Sequence, residues 1–268
     1  MRSGFWLSAL LAAAGCGSVT HTAVAPAQPA LGAGSEAPPH SAPVDYAAIV
    51  QAADRDEADR ALDMGRKPQE LLSFLEVCPG MRVAELGAGG GYTSELLARA
   101  VGETGAVYVQ NSRFILARFA EEPLTARLEK PVMGRVVRLD REFDDPFPQD
   151  VRDLDLVVNI LFYHDTVWQK VDRERMNRAV FAALKPGGRY VIVDHASVPG
   201  KGVTETETLH RIEESAVRSE VEQAGFQFVA DADFLRNPQD ARDWNASPRS
   251  AGEKRGTSDR FVLKFQKP

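Results

Sequence analysis

Arg82-Val83-Ala84-Glu85-Leu86-Gly87-Ala88-Gly89-Gly90-Gly91-Tyr92 is a short apolar run that ends in an acid and enters a loop with four glycines. An amphipathic run follows from Thr93 to Val101, with Leu96, Leu97, Ala100 and Val101 on one helical face. The pattern predicts a strand, a tight turn and a helix, with glycine where the main chain approaches a ligand closely. Such a turn at the carboxyl end of a first parallel strand is where doubly wound sheets bind nucleotides. The spacing is not the dinucleotide fingerprint, because a G-x-G-x-x-G counted from Gly87 reaches Tyr92 at its sixth position. Taken alone, the stretch also suits a glycine-rich turn that holds no ligand.

Outward from this stretch the chain alternates helical and strand patterns. Tyr46 to Ala61 reads as one helix and Lys67-Pro68 opens a second, with proline in its first turn. Ala106 to Val109 is the second strand, Arg135 to Leu139 the third, and the near-continuous apolar run Leu154 to Phe162 a fourth, buried on both faces. Asp172 to Leu184 is a helix, Tyr190 to Val193 a fifth strand, and Thr206 to Ala224 a helix stopped by Gly225. Phe226 to Val229 and Arg260 to Phe265 are the last two strands, separated by a long polar loop from Asn237 to Thr257. The expected fold class is α/β, a Rossmann-like doubly wound sheet of seven strands.

Two features carry a family resemblance. Glu85-x-Gly87-x-Gly89-x-Gly91 resembles motif I of the class I S-adenosylmethionine (SAM)-dependent methyltransferases. About a hundred residues later, Leu184-Lys185-Pro186-Gly187-Gly188 before an apolar strand resembles a second stretch of that family. More narrowly, the chain is similar to a bacterial family of predicted methyltransferases in several stretches. They are Arg66-Lys67-Pro68, Gly89 to Glu95, Tyr163-His164-Asp165, Val193-Asp194-His195, Thr208 to Ile212, Arg236-Asn237-Pro238 and Thr257 to Phe261. The likeness runs from about Tyr46 to the C-terminus. It implies an antiparallel last strand inserted beside the fifth, SAM as cofactor, and methyl transfer to a small-molecule acceptor that it does not identify.

By the same resemblance the cofactor would lie against Gly87, Ala88, Gly89 and Gly91, with Glu85 orienting its methionine end. Gln110 or Asn111 would bond the ribose, Asp140 would meet the adenine or simply face solvent, and Asn159 completes the cofactor set. Ligands of this fold sit outside the carboxyl ends of the strands, where the chain also places His164, Asp165 and His195. These three are the candidate catalytic residues, as a base or as substrate contacts. His164, Asp165, Asp194, His195 and His210 include metal-ligand types, but no pair has a spacing that selects a metal, and none is expected.

At the N-terminus, Arg2 precedes the apolar stretch Phe5 to Gly15, too short to span a bilayer, and small residues run into Cys16. This resembles a bacterial lipoprotein signal occupying residues 1–16, with an ordinary cleaved secretory signal as the alternative. Residues 17–43 are rich in Ala, Pro, Gly, Ser and Thr without apolar periodicity and read as a tether. Residues 44–268 form the domain. The expected location is therefore the periplasmic side, held to the membrane through a lipidated Cys16, or the cytoplasm if the signal is not used. A net charge of -6 with interleaved acids and bases argues against a nucleic-acid partner. A non-catalytic, membrane-tethered binding protein on the same fold is the rival reading. Hydrolase readings fail, since the chain has no G-x-S-x-G elbow and no lysine-ended phosphate loop.

Overall fold

The computed structural model describes residues 44–268; the signal expected to end at Cys16 and the tether over 17–43 lie outside the described residues. Three helices come first: α1 (Tyr46–Val50), α2 (Glu57–Arg66) and α3 (Pro68–Leu75). The single helix expected from Tyr46 to Ala61 is thus broken. Arg55 causes the break, donating to the Val50 carbonyl that α1 leaves free and pairing with Asp63 at 2.7 and 2.8 Å. Capping of the helix end by a side chain beyond it outweighs the propensity to continue.

The sheet then builds from β1 (Arg82–Leu86), α4 (Tyr92–Val101), β2 (Ala106–Asn111), and the helical stretch α5 (Arg113–Ile115) and α6 (Glu121–Leu128) joined by a π turn. It continues with β3 (Val136–Asp140), β4 (Leu154–Ile160), α7 (Tyr163–Trp168), α8 (Arg173–Ala183) and β5 (Leu184–His195). It ends with α9 (Glu214–Gln223), β6 (Gln227–Ala232) and β7 (Arg260–Gln266). Strand order is β3-β2-β1-β4-β5-β7-β6. The first five strands are parallel, and β7 runs antiparallel between β5 and β6. Seven strands with an antiparallel last strand were the expectation, and the structure has them.

Central strands β1, β4 and β5 bury Val83, Ala84, Leu86, Leu156, Val157, Val158, Val191, Ile192 and Val193 under helices on both faces, as a parallel sheet requires. The edge strand β6 alternates exposed and half-buried positions, the pattern of a strand covered on one face only. Strand order reverses between β1 and β4, which pair directly from Val83↔Leu156 to Leu86↔Asn159. The glycine turn after β1 and the segment after β4 therefore flank the topological switch point, where this class of sheet opens a crevice.

Two other expectations are corrected. The fourth strand, expected to run to Phe162, ends at Ile160; Leu161 turns at φ +59° and the chain enters α7. The helix expected from Thr206 begins only at Glu214, so His210 sits in a turn at φ +50° rather than on a helix. Tertiary bonds decide this. Arg211 is drawn fully inside to the Ala196 and Trp244 carbonyls and the Asp240 carboxylate, and Ile212 bridges Ala196. Local helix propensity is a weak prior against such anchors.

Candidate active site

The turn after β1 places Gly87, Gly89 and Gly91 at φ +66°, +57° and +82°, the left-handed region that a side chain resists. Their surroundings differ. A Cβ on Gly87 would stand 2.5 Å from the Phe162 ring, whereas one on Gly89 would meet no protein atom within 4 Å. Gly87 is therefore glycine for packing, and Gly89 turns the open side of its Cα to free space.

Gln110 and Asn111, expected to bond a ribose, are fully buried and bonded to this turn instead. Gln110 accepts from the Gly87 N–H at 3.1 Å and donates to the Arg141 carbonyl. Asn111 accepts from the Gly89 N–H at 2.9 Å and donates back to the Gly89 carbonyl at 3.1 Å. An acid could accept but not donate, so the amide at this strand end closes a two-way clamp that a carboxylate cannot form. Asp140, expected at the adenine, is exposed, pairs with Arg138 at 2.7 Å and borders a shallow depression with Arg113 and Glu142. Asn159 is fully buried, with neither polar atom of its amide hydrogen-bonded to protein. Ala88 sits half-buried in the turn, its N–H donating to the Gln110 carbonyl.

Glu85, expected to orient the methionine end of the cofactor, is buried and accepts from the Ser94 hydroxyl at the start of α4. Burial pushes its carboxyl up to about 7, against the downward pull of Ser94, Thr93 and Arg66. The sign follows from linkage: the folded chain keeps a proton here between pH 4.5 and about 7 that the unfolded chain has lost. Stability from this group is full below pH 4.5 and falls as pH rises to about 7, by about 3 kcal/mol at 1.36 kcal/mol per pH unit. Glu85→Gln should remove that dependence. Urea unfolding at pH 5 and pH 8 should show the variant gaining on the wild type at the higher pH; parallel behaviour of the two would refute it.

On the other side of the switch point, Asp194 at the end of β5 is fully buried and receives three bonds. They come from the His164 N–H at 2.7 Å, the His164 ring Nδ1 at 2.6 Å and the His195 N–H at 2.7 Å. His164 Nε2 faces Asp165 Oδ1 at 3.1 Å and His210 Nδ1 at 3.2 Å, and Asp165 also accepts from Trp168 Nε1 at 2.7 Å. Burial alone would lower the His164 pKa, but Asp194 and Asp165 overcome it and raise it to about 10. Asp165 is held well below the usual carboxylate range: burial opposes this, and His164 and His210 override it. The three candidate catalytic residues are thus close together, and His210 joins them.

His195 differs from His164. Its ring is 5.6 Å from that of His164, its Nδ1 meets Ser258 Oγ at 2.7 Å, and it lines a cavity of about 430 Å³. Burial first, then the charges of His164, Arg260 and Arg211, push its imidazole well below the usual range, so it is neutral. His164 is only 3% exposed with both ring nitrogens engaged, so of these two imidazoles His195 is the one that borders the cavity.

The cavity wall carries Arg66, Lys67, Arg236, Arg255 and Arg260 and no acid. Arg260 bonds only the Ser258 and Gly256 carbonyls, and Arg66 lies over the Tyr92 ring at 4.4 Å. Burial pushes the Arg260 guanidinium down to about 10, with Arg66 pushing the same way. Burial and the neighbouring Arg255 likewise lower Arg66, against Tyr92 and Glu85. Arg66, Leu161, Leu235 and Arg260 also line a narrow recess bordered by Tyr92 and Thr93 at the start of α4. The arginines and His210 were missed as site residues. Their signal was present, since Arg66, His210, Ser258 and Arg260 all lie in the short stretches that carry the narrower family likeness.

Strand order, the glycine turn and the clustered polar groups beyond β4 and β5 define a class I methyltransferase fold. Comparison with known proteins agrees. Residues 46–132 match the family model of protein-L-isoaspartate(D-aspartate) O-methyltransferase. The ubiquinone/menaquinone biosynthesis C-methyltransferase UbiE of Vibrio vulnificus is 29% identical over 117 residues, which is 43% of this chain and 42% of the relative. The chain thus spans less than half the length of the curated relatives it matches. Among solved structures, a SAM-dependent methyltransferase from Aquifex aeolicus superposes with TM-score 0.56 at 18% identity, covering 84% of this chain and all of that one. The 4+2 cyclase SpnF superposes with TM-score 0.54 at 16% identity over 82% of this chain and 85% of its own. That a cyclase shares the fold means the reaction must be argued from the site.

Proposed function

We propose that this chain is a SAM-dependent methyltransferase whose acceptor is a small anionic molecule bound in the arginine-lined cavity. The carrying observation is Gly89 at the switch point, where a Cβ would meet no protein atom within 4 Å. The unbonded buried amide of Asn159, in register with Leu86 just before the turn, supports the fit. When bound, SAM supplies an electrophilic methyl group on a sulfonium. The chain supplies position. The Gln110 and Asn111 clamps fix the turn, and Arg66, Arg255 and Arg260 hold an anion, since no acid stands on the cavity wall beside them and the Arg260 guanidinium is buried. Neutral His195, on the cavity wall, accepts a hydrogen bond from the hydroxyl or amine of the acceptor and orients it.

Calorimetry should give a saturable heat for SAM and for S-adenosylhomocysteine, and no heat at millimolar ligand would end this reading. Incubation with methyl-tritiated SAM and a small-molecule extract should place label in fractions retained by an anion exchanger. Label confined to the unretained fraction would keep the transferase and discard the anionic acceptor. We further propose export and lipid attachment at Cys16. Mass spectrometry should find a diacylglyceryl-modified N-terminus at Cys16; an intact Met1 would place the protein in the cytoplasm.

A further inference from the structure

Three donor atoms at the carboxyl edge of β4 and β5 form a nearly equilateral triangle. His164 Nε2 and Asp165 Oδ1 are 3.1 Å apart, His210 Nδ1 and Asp165 Oδ1 are 3.1 Å apart, and the two ring nitrogens are 3.2 Å apart. We propose that His164, Asp165 and His210 are a two-histidine, one-carboxylate site for a divalent transition ion of the zinc or ferrous class. At metal–donor distances of about 2.0–2.2 Å, such a triangle seats an ion about 1 Å off its plane, with donor–metal–donor angles of roughly 90–100°. That is the facial arrangement of three protein ligands, with the remaining positions open. Two imidazoles select a borderline ion over magnesium or calcium, which take oxygen ligands.

The surroundings are those of a built site. The Asp194 carboxylate against His164 Nδ1 at 2.6 Å fixes the tautomer that leaves the Nε2 lone pair for a ligand, the outer-shell arrangement metal-bound histidines use. The Trp168 N–H on Asp165 Oδ1 orients the carboxylate and leaves a second lone pair on that oxygen. His210 reaches the triangle from a left-handed backbone conformation, φ +50°, which an L-residue adopts at a cost of about 1 kcal/mol or more. His210 and Asp165 are half-buried, so the open side of the triangle reaches solvent. A proton shared between His164 and the two aspartates is the competing occupant of the same space, and metal binding displaces it. By contrast, the acidic group Asp56, Asp59 and Glu95 is already filled by Arg127 and Lys130 and is no such site.

The test uses the full chain, stripped with a chelator and titrated with Zn²⁺ and Co²⁺. The expected result is one equivalent of tightly held zinc by elemental analysis, a visible cobalt d–d spectrum and a raised melting temperature. His210→Ala should weaken zinc affinity at least 100-fold and abolish the spectrum, while far-UV circular dichroism is unchanged. Asp165→Asn is the second variant, expected to weaken zinc in the same way. Failure to bind zinc or cobalt at 100 µM, or binding unaffected by either variant, overturns the proposal. Neither readout requires SAM or an acceptor, so its outcome is independent of the methyl-transfer reading.

Discussion

Gly89→Ala should lower SAM affinity at least tenfold, and Gly89→Leu should abolish binding, with both proteins still folded. Gly87 and Gly89 belong to one turn but have opposite surroundings. Both sit at positive φ, so any side chain costs about 1–2 kcal/mol in either place. At Gly89 that is the whole cost, because the new Cβ touches no protein atom within 4 Å. In a domain of this size it corresponds to a fall of a few degrees in Tm. At Gly87 the Cβ would lie 2.5 Å from the Phe162 ring, which stacks on Phe143 with centroids 4.8 Å apart. Gly87→Ala should therefore lose a further 1–3 kcal/mol to overpacking, the usual range for a forced core contact. Calorimetry and thermal melts on the pair separate the roles. Gly89→Ala with wild-type SAM affinity would show that the open main chain is not where the ligand sits.

The same contrast explains what the sequence could and could not disclose. Strand β4 and the turn after β1 were legible because an unbroken apolar run and a glycine series each have few structural solutions. The β1 acid was legible as a residue but not in its placement. Glu85 is buried and bonded to Ser94, a partner nine residues on that no periodicity reports. Gln110 and Asn111 read from the sequence as ribose contacts; the bonds each amide makes on both sides, to the turn itself and to Arg141, were not legible there. The helix expected from Thr206 failed because Arg211 is committed to partners 15 to 33 residues away. No local pattern reports such a commitment, so the placement of His210 was out of reach although its residue type was visible.

The long polar loop between β6 and β7 is the other place where local composition misleads, and it yields the largest expected loss of stability. Its composition reads only as a long polar loop, but the Asp240 side chain within it is 1% exposed and pairs with Arg211, which is fully buried, at 2.8 Å. Asp240 also accepts from the Asp259 N–H at 2.6 Å, the Arg242 N–H at 3.0 Å and Trp244 Nε1 at 2.7 Å. Burial opposes its ionisation, but these donors and Arg211 hold its pKa below the usual value. Its stabilisation is therefore present above pH 3.8 and is lost as pH falls through the depressed pKa. Asp240→Ala leaves a buried guanidinium without a counter-charge and should cost about 3–5 kcal/mol, a drop in Tm of roughly 10 °C. Arg211→Met should cost less, because it removes the charge that needs compensation and leaves Asp240 its three N–H donors. The loop supplies Arg236, Asn237, Arg255 and Ser258 to the cavity wall, so loosening it should open the cavity before the sheet unfolds. Limited trypsin digestion of Asp240→Ala should cut first at Arg242, Arg249, Lys254 or Arg255, well before the core. Cleavage there no faster than in the wild type would mean that the buried pair does not hold the wall of the site.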